Sequence, residues 1–246
     1  MVLGALLLAG VSCSKSELKV SERETSLDVN YFTYSRYLLT TAIVGVAQQY
    51  GKGVTEEAKG EATLYFMDCY NGGSQVSALY GTRAQDWGYE DSNPYTNQLR
   101  YLASVKTMAT KEDNMANVAA ADILKCVVGG YLTEKYGDVP FSEANLGRDG
   151  SMFPKFDTQK EVYEQMFALL DNAVSVLADA GSKGLPSDHD VLFKGDRQKW
   201  IKFANSLKFR LMVHSYEAFK KAGKDLGSDM QAIASSGNYM SADADN

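Results

Sequence analysis

Three acidic residues, Glu134, Asp138 and Glu143, cluster around one glycine-proline turn and are the first place to look for chemistry. A glycoside hydrolase needs two carboxylates at a defined separation, one of them kept protonated by its surroundings. Here the acids flank the end of an apolar run. Asp138 lies in Gly137-Asp138-Val139-Pro140, where a turn aspartate bonds free backbone groups. His189 stands in a loop between two aspartates and His214 continues an apolar stripe. Neither has a serine or cysteine partner in a recognisable nucleophile motif. Cys13, Cys69 and Cys126 include no CxxC, and the close Cys/His spacing of a zinc site is missing. Gly51-Lys52-Gly53 is no phosphate loop, and Asn71-Gly72-Gly73-Ser74 is no nucleophile elbow. These residues predict neither an enzyme nor a metal or cofactor site; Cys69 and Cys126 read as buried thiols that pack like small apolar residues.

Binding chemistry is better represented. Aromatic residues make up 11% of the 246 residues, and 15 of them are tyrosines. Tyrosine has an apolar body and a polar tip, which complements the CH faces and hydroxyl edges of a sugar ring. The segment Asp86-Trp87-Gly88-Tyr89-Glu90-Asp91, followed by Tyr95, alternates aromatics with glycine and acids outside any helical stripe. Trp87, Tyr89 and Tyr95 are therefore the candidate ligand contacts. The competing reading makes this segment a plug over the helical core, since Trp is mostly buried. The net charge of −6 excludes nucleic acid as the expected partner, because phosphate binding needs a basic surface.

The elements that must position these residues are helices. Apolar spacing predicts a first helix over about 30–50, broken at Gly51-Lys52-Gly53. Asn93-Pro94 reads as an N-cap with proline at the first helical position, opening a helix to about residue 110. The next spans about 114–136, with Ala116, Ala120, Ile123, Val127 and Tyr131 on one face; Gly137 ends it and Pro140 forbids continuation. Thr158-Gln159-Lys160-Glu161 is a capping box that opens a helix carrying Val162, Met166, Leu169, Ala173 and Leu177. A further helix starts near Asp196, with Trp200, Phe203, Leu207, Leu211 and His214 on one stripe. Asn205 and Arg210 on that helix are expected to hold neighbouring loops, so the dense motif around Trp200 reads as scaffold. All four prolines fall between helices or at their starts, which is consistent with an all-α fold.

The N-terminus is a processing signal. Residues 2–11 form an apolar run too short to span a bilayer but of the length of a signal-peptide core. Ser12-Cys13-Ser14 and a polar stretch follow at once, like a bacterial lipobox in which the cysteine is lipidated. Gly10 stands where leucine is usual, and no basic residue precedes the run. The expected organisation is a signal peptide at 1–12, a lipid-anchored linker at 13–29 and a helical domain at 30–246.

Three stretches resemble the SusD/RagB family of nutrient-binding lipoproteins. Residues 120–144, AADILKCVVGGYLTEKYGDVPFSEA, match its alanine-rich helix closing in Tyr-Gly-Asp-Val-Pro, with Phe141 in place of a tyrosine. Residues 154–177 carry its Phe-Asp-Thr turn and Leu-Asp-Asn-Ala helix, and residues 195–211, GDRQKWIKFANSLKFRL, match its densest motif. The resemblance implies degenerate tetratricopeptide-like helix pairs, an α-solenoid with loop-rich insertions. It implies a place on the outer face of the outer membrane. It also implies capture of oligosaccharides, or of peptides and other nutrients, for delivery to a TonB-dependent (SusC-like) transporter. Family members are usually longer, so the chain looks like the N-terminal portion of such a protein. A tetratricopeptide-type scaffold that binds only proteins is the remaining alternative.

Lipidation at Cys13 has a direct test. Cys13→Ala should release the protein from membranes or leave its precursor uncleaved, as read by fractionation and mass spectrometry of the mature N-terminus.

Overall fold

In a computed structural model, residues 34–55, 94–147 and 153–241 are described. All of them belong to one compact unit, Tyr34–Asn246. Among the described residues there are six helices: α1 (Ser35–Thr55), α2 (Gln98–Lys111), α3 (Met115–Tyr136), α4 (Gln159–Ala178), α5 (Arg197–Lys221) and α6 (Gly227–Ser236). Each of the first five packs on the next, and α3 also touches α1 and α5. That succession of neighbouring pairs is the all-α, tetratricopeptide-like arrangement expected.

Helix α3 is the centre. Its alanines, valines and glycines are buried along most of its length. It is long and apolar enough to cross a membrane, yet it is enclosed by the other helices. Small residues allow that enclosure. A Cβ on Gly129 would come within 2.4 Å of the Phe141 ring, and one on Gly130 within 3.1 Å of Leu211. Most buried polar groups on α3 are paired, as burial requires, the exception being the Asn117 side-chain oxygen. Asp122 takes an ion pair from Lys106 of α2 at 2.8 Å. Asn117 donates to the Ser35 hydroxyl at 2.8 Å. Glu112 accepts from the backbone N–H and the hydroxyl of Ser35 at 2.6 and 2.7 Å, which ties the start of α1 to the α2–α3 turn.

Capping follows the local sequence. Asn114 accepts from the Asn117 N–H, the Thr158/Glu161 capping box is complete, and Asp196 accepts from the Gln198 and Lys199 N–H groups. Gly137 has φ +77°, a conformation that favours glycine. Residues 186–196 fold around the fully buried Asp190. Its carboxylate accepts from the N–H groups of Leu192, Phe193 and Gly195, and from the Trp200 indole at 2.7 Å. Gly195 has φ +82°, and a Cβ there would sit 2.9 Å from the Leu185 carbonyl. Trp200 is fully buried and packs edge-on to Phe193 at 5.3 Å. The Gly-Asp-x-x-x-Trp motif is thus a scaffold, as expected.

The structure departs from the expectations in four places. Helix α1 runs through Gly51 and Gly53 to Thr55, because glycine weakens a helix by only about 1 kcal/mol and no proline follows to stop it. Pro94 does not open α2; residues 94–97 form a turn and α2 starts at Gln98. The Leu99 N–H reaches back to the Pro94 carbonyl at 2.8 Å and Asn145 donates to the Tyr95 carbonyl at 2.7 Å, which fixes that turn. On α4 the buried stripe uses Leu170, not Leu169, and on α5 it continues from Leu211 to Ser215 and Phe219. His214 is therefore exposed, where it pairs with Glu134.

Trp200→Ala removes both the aromatic packing and one donor to Asp190. It should destabilise the fold by about 3–5 kcal/mol in chemical denaturation; an unmoved midpoint would show that Trp200 is not the anchor.

Candidate ligand-binding face

After α3 the chain turns at Gly137 and returns to α4 through a loop held by one carboxylate. Asp157 is fully buried. It accepts from the Phe141 N–H at 3.0 Å, the Ser142 N–H at 2.7 Å and the Ser142 hydroxyl at 2.8 Å, and Lys155 lies 3.2 Å away. Burial alone would raise its pKa, but the bonds from Ser142, Phe141 and Lys155 outweigh it and bring the value down to about 2. Asp157 and Val139 also exchange both backbone hydrogen bonds, the sole β pairing among the described residues. Phe141 is buried against Gly129, and Lys125 lies over its ring while donating to its carbonyl at 3.1 Å. Burial, with Lys106 nearby, holds the Lys125 ammonium below the usual lysine range.

Tyr95 is fastened to this loop. Its hydroxyl donates to the Pro140 carbonyl at 3.0 Å. Burial, reinforced by Asp157 and Tyr136, pushes the phenol up to about 12. Tyr95 is half-buried, so its polar tip serves the fold while part of the residue stays accessible. Two aromatics that the sequence reading missed stand on the same loop: Phe153 is 94% exposed and Phe156 64%. The signal was present in Phe153-Pro154-Lys155-Phe156, since aromatics around a proline just before a capping box cannot belong to a helical stripe. They are notable because the backbone beside them is anchored: Asp157 immediately follows Phe156, and the Lys155 N–H bonds Glu143 at 3.1 Å. Trp87, Tyr89, Cys13 and Cys69 lie outside the described residues; Cys126 is a buried thiol.

The acids singled out above are structural. Asp138 accepts from the Gln159 N–H at 2.8 Å and so caps α4, not the helix it follows. Glu143 takes the Lys155 N–H, and Glu134 holds His214 at 2.9 Å with Arg210 at 3.9 Å. Asn205 donates to the Asn238 carbonyl at 2.7 Å, holding the segment after α6 as its position suggests. Glu134, His214, Tyr163, Ala218 and Phe219 line a cleft of about 540 Å³ between α3, α4 and α5. Burial, helped by Glu134 and opposed by Arg210, pushes Tyr163 up to about 12. Among the described residues no group of three or more His, Cys, Asp or Glu could hold a metal ion.

A family model described as starch-binding and associating with the outer membrane matches residues 28–246. The chain belongs to this SusD-like family. Solved structures agree. A SusD/RagB family protein from Bacteroides thetaiotaomicron shares the fold with a TM-score of 0.68 at 19% identity, over 86% of this chain and 44% of that one. A SusD homologue from Bacteroides uniformis has a TM-score of 0.59 at 27% identity, over 85% and 44%. One from Bacteroides fragilis has 0.52 at 26%, over 62% and 31%. This SusD-like chain therefore spans less than half the length of these relatives. No curated protein matches the sequence.

The Asp157 staple sets an acid limit. Its carboxyl titrates lower in the folded chain than its ordinary 3.8, so the stabilisation is complete above that value and is lost as pH falls towards 2. Asp157→Asn should lower stability at neutral pH by about 2 kcal/mol and flatten the acid limb between pH 4 and 2. Denaturant midpoints measured across that range check both.

Proposed function

We propose that the chain is a glycan-binding lipoprotein on the outer face of the outer membrane, which captures oligosaccharides and delivers them to a TonB-dependent, SusC-like transporter. The observation that carries this reading is the family match over residues 28–246, whose description joins starch binding to outer-membrane association. The apolar run ending at Cys13 supports lipid attachment there. With the protein confined to the membrane surface, a membrane partner meets it at high effective concentration.

The working activity is binding and not catalysis. Glu134, Asp138 and Glu143 are each engaged by a side chain or by a backbone N–H group, so these three do not form the free carboxylate pair that glycoside hydrolysis needs. Ligand contact falls to aromatics: Trp87 and Tyr89, the accessible part of Tyr95, and Phe153 and Phe156 on the stapled loop. A loop anchored at Lys155 and Asp157 presents such rings with less ordering entropy left to lose on binding.

Trp87→Ala and Phe153→Ala should each weaken malto-oligosaccharide binding in calorimetry by roughly tenfold, the loss of one stacked ring, with the melting temperature unchanged. No sugar product should be released from the bound oligosaccharide. Gently solubilised membranes should yield a β-barrel transporter with the lipidated protein; recovery of none, with uptake unaffected by deleting the gene, would overturn the delivery reading.

A further inference from the structure

The first described turn of α1 and the 186–195 loop together carry an exposed patch that the ligand-binding reading does not use. Tyr34, Tyr37, Val191 and Leu192 are 47%, 43%, 41% and 40% exposed. Arg36 lies over both tyrosine rings, at 4.6 and 5.0 Å from their centroids, and the Tyr37 and His189 rings meet edge-on at 4.9 Å. The two elements are locked together, because the Thr40 hydroxyl donates to the His189 carbonyl at 2.6 Å. The buried Asp190 then fixes the loop through the Leu192 and Phe193 N–H groups. Leu192 is three residues from His189, hence within about 11 Å of it along the chain. Asp188, 73% exposed and 3.4 Å from His189, marks the water-facing edge.

We propose that this patch rests on the lipid surface of the membrane that carries the anchor. The inference depends on the lipoprotein reading above. The composition is that of a membrane interface. Tyrosine rings sit at headgroup level, aliphatic side chains enter the acyl boundary, and an arginine meets lipid phosphate. Val191 and Leu192 offer nothing to sugar hydroxyls. Position supplies the rest. Tyr34 is 21 residues after Cys13. Even fully extended, a chain of that length reaches no more than about 70 Å. The chain that would carry the anchor enters the described fold at the patch itself, so an anchored protein meets the bilayer there at raised effective concentration, where even weak affinity suffices.

The test imposes the anchor chemically, so its outcome is independent of natural lipidation. The full chain with Cys69→Ser is coupled through Cys13 to a maleimide-bearing phospholipid in vesicles of phosphatidylethanolamine and phosphatidylglycerol. Leu192→Trp is the reporter, measured against the same chain without it because Trp87 and Trp200 also emit. Brominated phospholipid should quench the added emission several-fold. Val213→Trp should stay unquenched: Val213 adjoins the Glu134 end of α3, about 26 Å along that helix from Asn117 and Ser35. Tyr37→Glu with Val191→Glu should abolish the quenching at 192 while melting stays unchanged. Three results overturn the proposal: no quenching at 192, equal quenching at 192 and 213, or a reporter that responds to malto-oligosaccharide and not to lipid. A failed lipoprotein reading shows separately, as unchanged membrane retention of the Cys13→Ala chain.

Discussion

Helix α3 has almost no face turned to water, so every neighbour has to be accommodated within its own surface. Alanine and glycine provide the room, and the side chains that fill it come from elsewhere: Phe141 over Gly129 and Leu211 over Gly130. Most polar groups that α3 carries inward find partners on other helices, since an unpaired buried polar group costs roughly 1–3 kcal/mol. That requirement places Lys106 of α2 against Asp122 and Ser35 of α1 against Asn117. The order of helices around α3 is therefore fixed by polar pairing as well as by apolar contact. Hydrophobic burial alone would tolerate a sliding or rotated neighbour.

Two buried aspartates solve the same problem for the loops. Asp157 gathers N–H groups from the turn after α3, and Asp190 gathers them from the turn before α5. In each case a carboxylate replaces the hydrogen bonds that irregular backbone would otherwise take from water. Both exposed patches grow from these two loops, the phenylalanines beside Asp157 and the aliphatic pair beside Asp190. A binding surface made from a loop needs such a fixed point, because a mobile loop loses entropy when it closes on a ligand.

Much of the fold was legible in the sequence because it is written in local signals. The Thr158 box, the Asp196 cap, the Gly137 stop and the burial of Trp200 all follow from a few neighbouring residues. Errors arose where tertiary contacts decide. Glycines 51 and 53 do not end α1, the 94–97 turn is shaped by Asn145 from a distant loop, and the α5 stripe steps from Leu211 to Ser215, leaving His214 for Glu134. The roles of Asp157 and Asp190 are invisible to periodicity, since each acts through a backbone that must first be folded around it. The candidate contacts divided in the same way. Tyr95 is anchored through its hydroxyl, which no spacing rule foretells, and Phe153 and Phe156 were passed over because they lie outside any helical pattern. Trp87 and Tyr89 lie outside the described residues.

The apolar character of α3 bears on how such a chain reaches its destination. For an exported protein, a 22-residue segment of this hydropathy has to pass a translocation channel that opens sideways to lipid, before any other helix exists to enclose it. Asp122 and Lys125 lie near its middle, and a charge at that depth opposes partitioning into the bilayer by about 3 kcal/mol. The same two residues that the finished fold keeps with Lys106 and Phe141 would thus keep the nascent segment moving through the channel. Replacing them with well-packed apolar residues could leave the core intact and still strand the protein in the inner membrane.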